Sequence, residues 1–277
     1  MTPRRLFLLC ALLLPQLALA AAQVFTIGVL PVHSARILTE RYEPLRAYLE
    51  ARLKQPVRVE SASDFARFHA RMLKGDFDLT LTASHLARLA QKDAGFQPLA
   101  QFTPDHDSLL MYAAERPLRS PKELQGKQLA VIDRLAVTAM AALSYLDEQG
   151  LEADRDFRVS EHRTHASVAH ALISGVAAAA VTTSQGLLQI PDDLRRRLVV
   201  QKHIADIPAF VFLSRPDAPR AQAEALKTLL LAFPNDLEGI DFLGHTGYAS
   251  ILAVSEAHMR RTDAYLKLTR KTLAARP

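Results

Sequence analysis

One cysteine, Cys10, stands in the 277 residues. It falls inside the opening MTPRRLFLLCALLLPQLALA, where Arg4 and Arg5 precede an apolar run from Leu6 to Leu14 and a small-x-small site at Ala18-Leu19-Ala20. That order of features reads as a secretory signal peptide, residues 1–20, cut before Ala21. The exported chain then carries no cysteine, which excludes a disulfide framework and a thiolate metal site. A lipid anchor would need a small residue before Cys10, and Leu9 stands there. Long apolar runs are lacking too: the opening run is shorter than the roughly 18 to 20 residues that span a bilayer, and nothing later matches it. A soluble protein outside the cytoplasm is expected.

Charge of one sign is equally scarce. The formal net charge of +5 includes Arg4 and Arg5, so the exported chain carries about +3, with acids and bases interspersed. That is too mild for a nucleic-acid footprint, and no RNP-like or helix-turn-helix pattern accompanies it, so no nucleic-acid partner is expected. A small positive excess suits a small anionic ligand. Catalytic signatures are missing as well. The ten histidines include no HExxH, and no GxSxG nucleophile elbow occurs. Neither an enzyme activity, a metal nor a cofactor is expected.

What the chain does contain is a strand–helix rhythm that runs twice. About 257 residues follow the cut, enough for two α/β lobes. Val24 to Leu30 is an apolar strand, and Leu45, Tyr48, Leu49 and Leu53 give helical spacing over 41–53. Strands at 57–61, 78–82 and 97–102 alternate with helices from Phe65 and Ser84. After TPDHD the rhythm restarts, with strands at 109–113, 128–132, 157–160, 178–182 and 198–201 and helices at 137–149 and 165–174. Pro208 to Leu213 then leads into helices at 218–233, 235–243 and 255–273. Alternation of this kind predicts mostly parallel sheets flanked by helices.

Two phrases match across the halves. DFARFHARMLKGDFDLTLTAS, 64–84, and THASVAHALISGVAAAAVTTS, 164–184, each run from a capping residue through a helix to a glycine and a strand that ends on hydroxyls. In open parallel sheets, ligands sit beyond the carboxyl ends of the strands, where helix N-termini present unpaired N–H groups. Two facing lobes would therefore clamp a ligand between Thr82-Ala83-Ser84 and Thr182-Thr183-Ser184. Thr and Ser also cap helices without touching any ligand. Ser84, Thr182, Thr183 and Ser184 are the first candidate donors, with Thr138 behind them and His165 able to donate through either ring nitrogen. His33 and Ser34 follow the first strand, and His106 and Asp107 lie where the chain crosses between lobes. Asp206 sits near the second crossing, where an acid would contact a ligand hydroxyl or amine. Arg134 would add positive charge.

The phrases IGVLP, ERYEPLRAYLEARLKQPVRVESASDFARFHARMLKGDFDLTLTASHLARLA, SPKELQGKQLAVID and THASVAHALISG resemble the substrate-binding proteins of phosphate, phosphite and phosphonate ABC importers. The resemblance implies a two-lobed type 2 periplasmic binding fold with the ligand cleft between lobes. It places 21–105 with 214–277 in a discontinuous first lobe and 106–213 in the second. It implies a periplasmic, monomeric protein that closes by hinge motion on a small anion and hands it to a membrane permease; presentation to a sensor kinase is the alternative role. By resemblance Phe65 is the aromatic ligand contact, Ser84 and His85 mark the cleft edge, and His165 touches the anion. The Ser-Thr-Ser-Gly anion turn of phosphonate binders is replaced by DRLAVTAM, in which only Thr138 keeps a hydroxyl. The family's acidic cleft residues are replaced by Ala178 and Gln185. Weak phosphonate binding and a ligand with an apolar body are the expectations that follow.

Overall fold

The computed structural model describes residues 24–276; the signal-peptide segment and Cys10 lie outside them. Among the described residues, eleven strands form two sheets. The first contains β1 (Phe25–Val29), β2 (Val57–Glu60), β3 (Leu79–Thr82), β4 (Gln97–Thr103), β10 (Val211–Ser214) and β11 (Ser250–Ala253), in the order β11-β4-β10-β3-β1-β2. The second contains β5 (His106–Ala113), β6 (Gln128–Val131), β7 (Arg158–Glu161), β8 (Ala179–Thr182) and β9 (Leu198–Ile207), in the order β7-β6-β8-β5-β9. All five residues of β1 are buried, as befits a central strand covered on both faces.

Helices connect and cover these strands. In the first lobe they are α1 (Ala35–Leu53), α2 (Phe65–Leu73) and α3 (Ser84–Ala94). The second lobe has α4 (Val137–Glu148), α5 (His165–Ser174), α6 (Ser184–Leu188) and α7 (Asp192–Arg195). The chain then returns through α8 (Arg220–Ala232), α9 (Leu237–Thr246), α10 (Glu256–Arg260) and α11 (Leu266–Ala274). One core of the first lobe packs α1, α8 and α9 against its sheet around Leu45, Leu49, Phe102 and Phe212. The opposite face holds Phe68, Phe77 and Leu86, and this cluster continues into Leu135 and Met140 of the second lobe. A shared apolar seam therefore joins the lobes behind the cleft.

The expected parallel sheets are in fact mixed. β1 pairs in parallel with β2 and β3, but β10 is antiparallel to both β3 and β4. β6 pairs in parallel with β7 and β8, while β5 is antiparallel to β8 and β9. The reason is the crossing. Each time the chain enters a lobe from the other one, its first strand, β5 or β10, runs against that lobe's β3- or β8-type strand. With those insertions counted, β2-β1-β3-β10-β4 and β7-β6-β8-β5-β9 are the same arrangement. The doubled phrase is thus the same unit, β2-α2-β3 in one lobe and β7-α5-β8 in the other.

Other boundaries differ in detail. Residues 211–214 pair with β3 and β4 of the first sheet, so the second crossing lies at 208–210 and not after Leu213. The helix expected at 255–273 is broken into α10, a short 3-10 turn at Asp263–Tyr265 and α11. α1 begins at Ala35 and not at Arg41, because Ser34 caps it by accepting from Ile37 N. None of the helices among the described residues is long and apolar enough to cross a membrane.

Candidate functional site

The two sheets aim the starts of six helices at one interlobe cavity. Its lining includes Phe65 at the first position of α2, Ala83 before α3, Ala136, Val137 and Thr138 at the start of α4, His165 at the start of α5, and Thr183 before α6. His33, just ahead of α1, joins them. The N-termini of α3 and α4 have alanine as N-cap and no side-chain cap hydrogen bond, so their first N–H groups are left for other acceptors. Helix N-termini with free N–H groups favour negative charge.

Arg41 and Tyr42 of α1 also line the cavity. Arg41 is half-buried and, among the described residues, has no carboxylate in ion-pair range. No Asp or Glu lines the cavity. An arginine without a carboxylate partner and uncapped helix starts, lining one cavity, are groups that suit an anion. Val32, Phe65, Ile132 and Phe210 add apolar surface. The cavity volume is about 70 Å³; since a single water needs roughly 10 to 15 Å³, a small ligand of a few heavy atoms fits.

Three imidazoles complete the lining, and all are held neutral. Burial, reinforced by Arg41, pushes His33 down to about 4. Burial takes His106 to about 4, against the pull of Asp107 and Asp105. Burial takes His165 to about 3, helped by His33, His106 and Arg41. Two of the rings have a defined hydrogen-bond neighbour. His106 Nε2 lies 3.1 Å from the Tyr248 hydroxyl, and Tyr248 stacks on Phe102 at 4.1 Å between centroids. His165 Nδ1 lies 2.9 Å from Thr182 Oγ1. Gly186 makes that pair possible, since a Cβ there would fall 2.5 Å from His165 Nδ1 and 2.6 Å from Thr182 Oγ1.

The sequence candidates divide sharply. Phe65, Thr138, His165 and Thr183 line the cavity. Thr182 stands behind it, on His165. Ser84 is fully buried and donates to Pro208 O at 2.7 Å, bracing the second crossing. His85 Nε2 meets Leu135 O at 2.8 Å, on the seam between lobes, and burial lowers its pKa to about 3. Ser184 donates its backbone N–H to Asp107 at 2.7 Å. Asp206 is exposed and pairs with His203 at 2.9 Å. Arg134 turns outward to Asp154 at 2.6 Å. In each jaw triplet it is the middle residue, Ala83 or Thr183, that reaches the cavity.

Arg41, Tyr42, Gln185, Gln189, Thr246 and Tyr248 were not among the sequence candidates, yet all line the cavity. A signal for the first pair was present. Ser34 as a cap, followed by Leu38, Tyr42, Leu45 and Leu49 at helical spacing, extends α1 by two turns and brings Arg41 to its inward side.

Two mixed α/β sheets, two crossings and an interlobe cavity define a two-lobed binding protein. The chain belongs to the family of periplasmic substrate-binding proteins of phosphonate ABC transporters, whose model matches residues 27–259. Solved structures agree on the fold. PhnD1 from Prochlorococcus marinus, in complex with methylphosphonate, has a TM-score of 0.79 at 13% identity, covering 90% of this chain and 98% of its own. A binding protein component of an ABC phosphonate transporter from Pseudomonas aeruginosa has a TM-score of 0.77 at 17% identity, covering 91% and 96%. XAC2383 from Xanthomonas citri, bound to chloride ion, has a TM-score of 0.75 at 16% identity, covering 90% and 99%.

Proposed function

We propose that the protein, exported by its signal peptide, captures a compact oxyanion that carries a short apolar group and no amine, and delivers it to the permease of an ABC importer without chemical turnover. The single observation behind this reading is the uncompensated Arg41 in a cavity lined by no carboxylate. Arg41, the N–H groups that open α4, and the hydroxyls of Thr138 and Thr183 serve the anionic head; Phe65, Val32 and Phe210 enclose its substituent. Thr183 Oγ1 accepts from Gly186 N at 2.7 Å, which leaves its own proton free to donate. The lost serines of the anion turn are offset by backbone N–H groups and Arg41, so a small alkylphosphonate or alkylsulfonate fits where an aminoalkyl one does not. An ammonium group would find no carboxylate partner there.

Calorimetry with methylphosphonate, methanesulfonate, phosphate and 2-aminoethylphosphonate tests this. Methylphosphonate or methanesulfonate is expected to bind best. An ammonium denied its partner costs at least about 1.5 kcal/mol, so 2-aminoethylphosphonate should bind roughly tenfold or more weakly. Tightest binding by the aminoalkyl compound would overturn the assignment.

A further inference from the structure

The turn ahead of α4 contains a buried carboxylate that the anion site has to tolerate. Asp133 is 6% exposed and stands next to Ile132 and three residues ahead of Ala136, both of which line the cavity. It shapes that turn: its Oδ1 accepts from Leu135 N at 2.7 Å, and its carbonyl accepts from Ala136 N at 2.9 Å. Left as a bare negative charge, it would repel the ligand it helps to seat. Its cation comes from the far end of the sequence. Arg276, just beyond α11, donates to both carboxylate oxygens of Asp133, at 2.7 and 3.2 Å. The same guanidinium meets Glu161, whose Oε1 accepts from Arg134 N at 2.6 Å.

α11 packs mainly on α3 of the first lobe and touches α4 of the second through Thr269, whose Oγ1 lies 3.5 Å from Met140 Sδ. Arg270 pairs with Asp93 of α3 through two hydrogen bonds, at 2.8 and 3.1 Å. Asp133 and Glu161 belong to the second lobe. The Arg276 clasp therefore bridges the two lobes.

We propose that Arg276 is a positioning residue for the anion site: carried on the first lobe, it neutralises Asp133 on the second, so that the α4 turn accepts an anion in the closed form and turns electrically hostile when the lobes part. This rests on the proposed anion capture in the cleft. Opening then both exposes the ligand and uncovers a carboxylate beside it, which speeds release.

The test uses the full exported chain and methylphosphonate as probe, with phosphate and methanesulfonate in parallel. Arg276→Gln should weaken binding roughly tenfold, a size typical of one uncovered charge close to another at intermediate dielectric. Adding Asp133→Asn to that variant should restore affinity to near that of the parent, because the amide keeps the bond from Leu135 N and removes the repulsion. Arg276→Lys should lose less than Arg276→Gln. Unchanged binding in Arg276→Gln, or a loss that Asp133→Asn does not recover, overturns the proposal. If none of the probes binds the parent protein, the proposed ligand class fails by itself, and the clasp is decided by small-angle scattering without ligand. Arg276→Gln should then raise the radius of gyration, and an unchanged value overturns the clasp.

Discussion

At the scale of single residues, Arg41 and Ser84 make opposite predictions. Arg41 lines the cavity without a carboxylate partner, so Arg41→Ala should leave the melting temperature nearly unchanged. It should weaken anion binding roughly 10- to 100-fold, the value of a charge-assisted hydrogen bond to a buried ligand. Ser84 touches Pro208 O and lies outside the cavity. Ser84→Ala should cost about 1 to 3 kcal/mol of stability by leaving that buried carbonyl without its donor. Calorimetry and thermal melts of both variants separate the two roles. The histidines add a dependence on pH. Burial lowers His33 and His106 to about 4 and His165 to about 3, from an ordinary 6.5. As pH falls below that ordinary value, the unfolded chain takes up protons and the folded cavity does not, so stability falls towards pH 4. A bound anion favours the protonated rings, so its protection should grow over the same window. Melts with and without methanesulfonate, from pH 7 to about 4.5, read both trends, and a stability that holds flat would show that the rings are solvated.

At the scale of elements, the doubled phrase is a matched pair of βαβ units. Asp64 caps α2 and Thr164 caps α5, each accepting from the backbone N–H three residues on. Gly75 and Gly175 follow these helices with φ of 77° and 81°. Over each glycine lies an arginine, Arg215 at 3.5 Å and Arg116 at 3.2 Å from where a Cβ would stand. Replacing either glycine by alanine should cost about 1 kcal/mol for left-handed backbone, and Gly175→Ala somewhat more because Arg116 sits closer. Urea melts of the two variants check the order. These units were legible because capping, helical spacing and a stopping glycine are local signals. β11 was not, since SILA is short, exposed at two of its four positions and placed only by its antiparallel pairing to β4. Nor did local pattern reveal what Ser84 and Ser184 touch, because Pro208 and Asp107 lie far away in sequence.

At the scale of the whole molecule, the two-lobe arrangement could be read from the restart of the strand–helix rhythm after TPDHD. The direction of β5 and β10 could not, since a strand's own composition is silent about the neighbour that it slips between. The cavity was legible to the extent that helix starts were. Phe65, Thr138, His165 and Thr183 all occupy such positions, whereas Tyr248 reaches the cleft from beyond the C-terminus of α9. The clasp formed by Arg276 is the extreme case, joining Asp133 and Glu161 to the last described residue.

The place of β10 has a consequence for how the chain acquires its shape. β10 sits between β3 and β4 and bonds to both. Until residues 211–214 arrive, β4 has no route to β3, and the first sheet is only a three-stranded remnant of β1, β2 and β3. The second lobe, by contrast, is built from one uninterrupted stretch from β5 to β9. The lobe whose synthesis starts first is therefore the one whose sheet closes last, and a nascent chain that has not reached Ala253, the end of β11, has no complete first sheet to hold it folded.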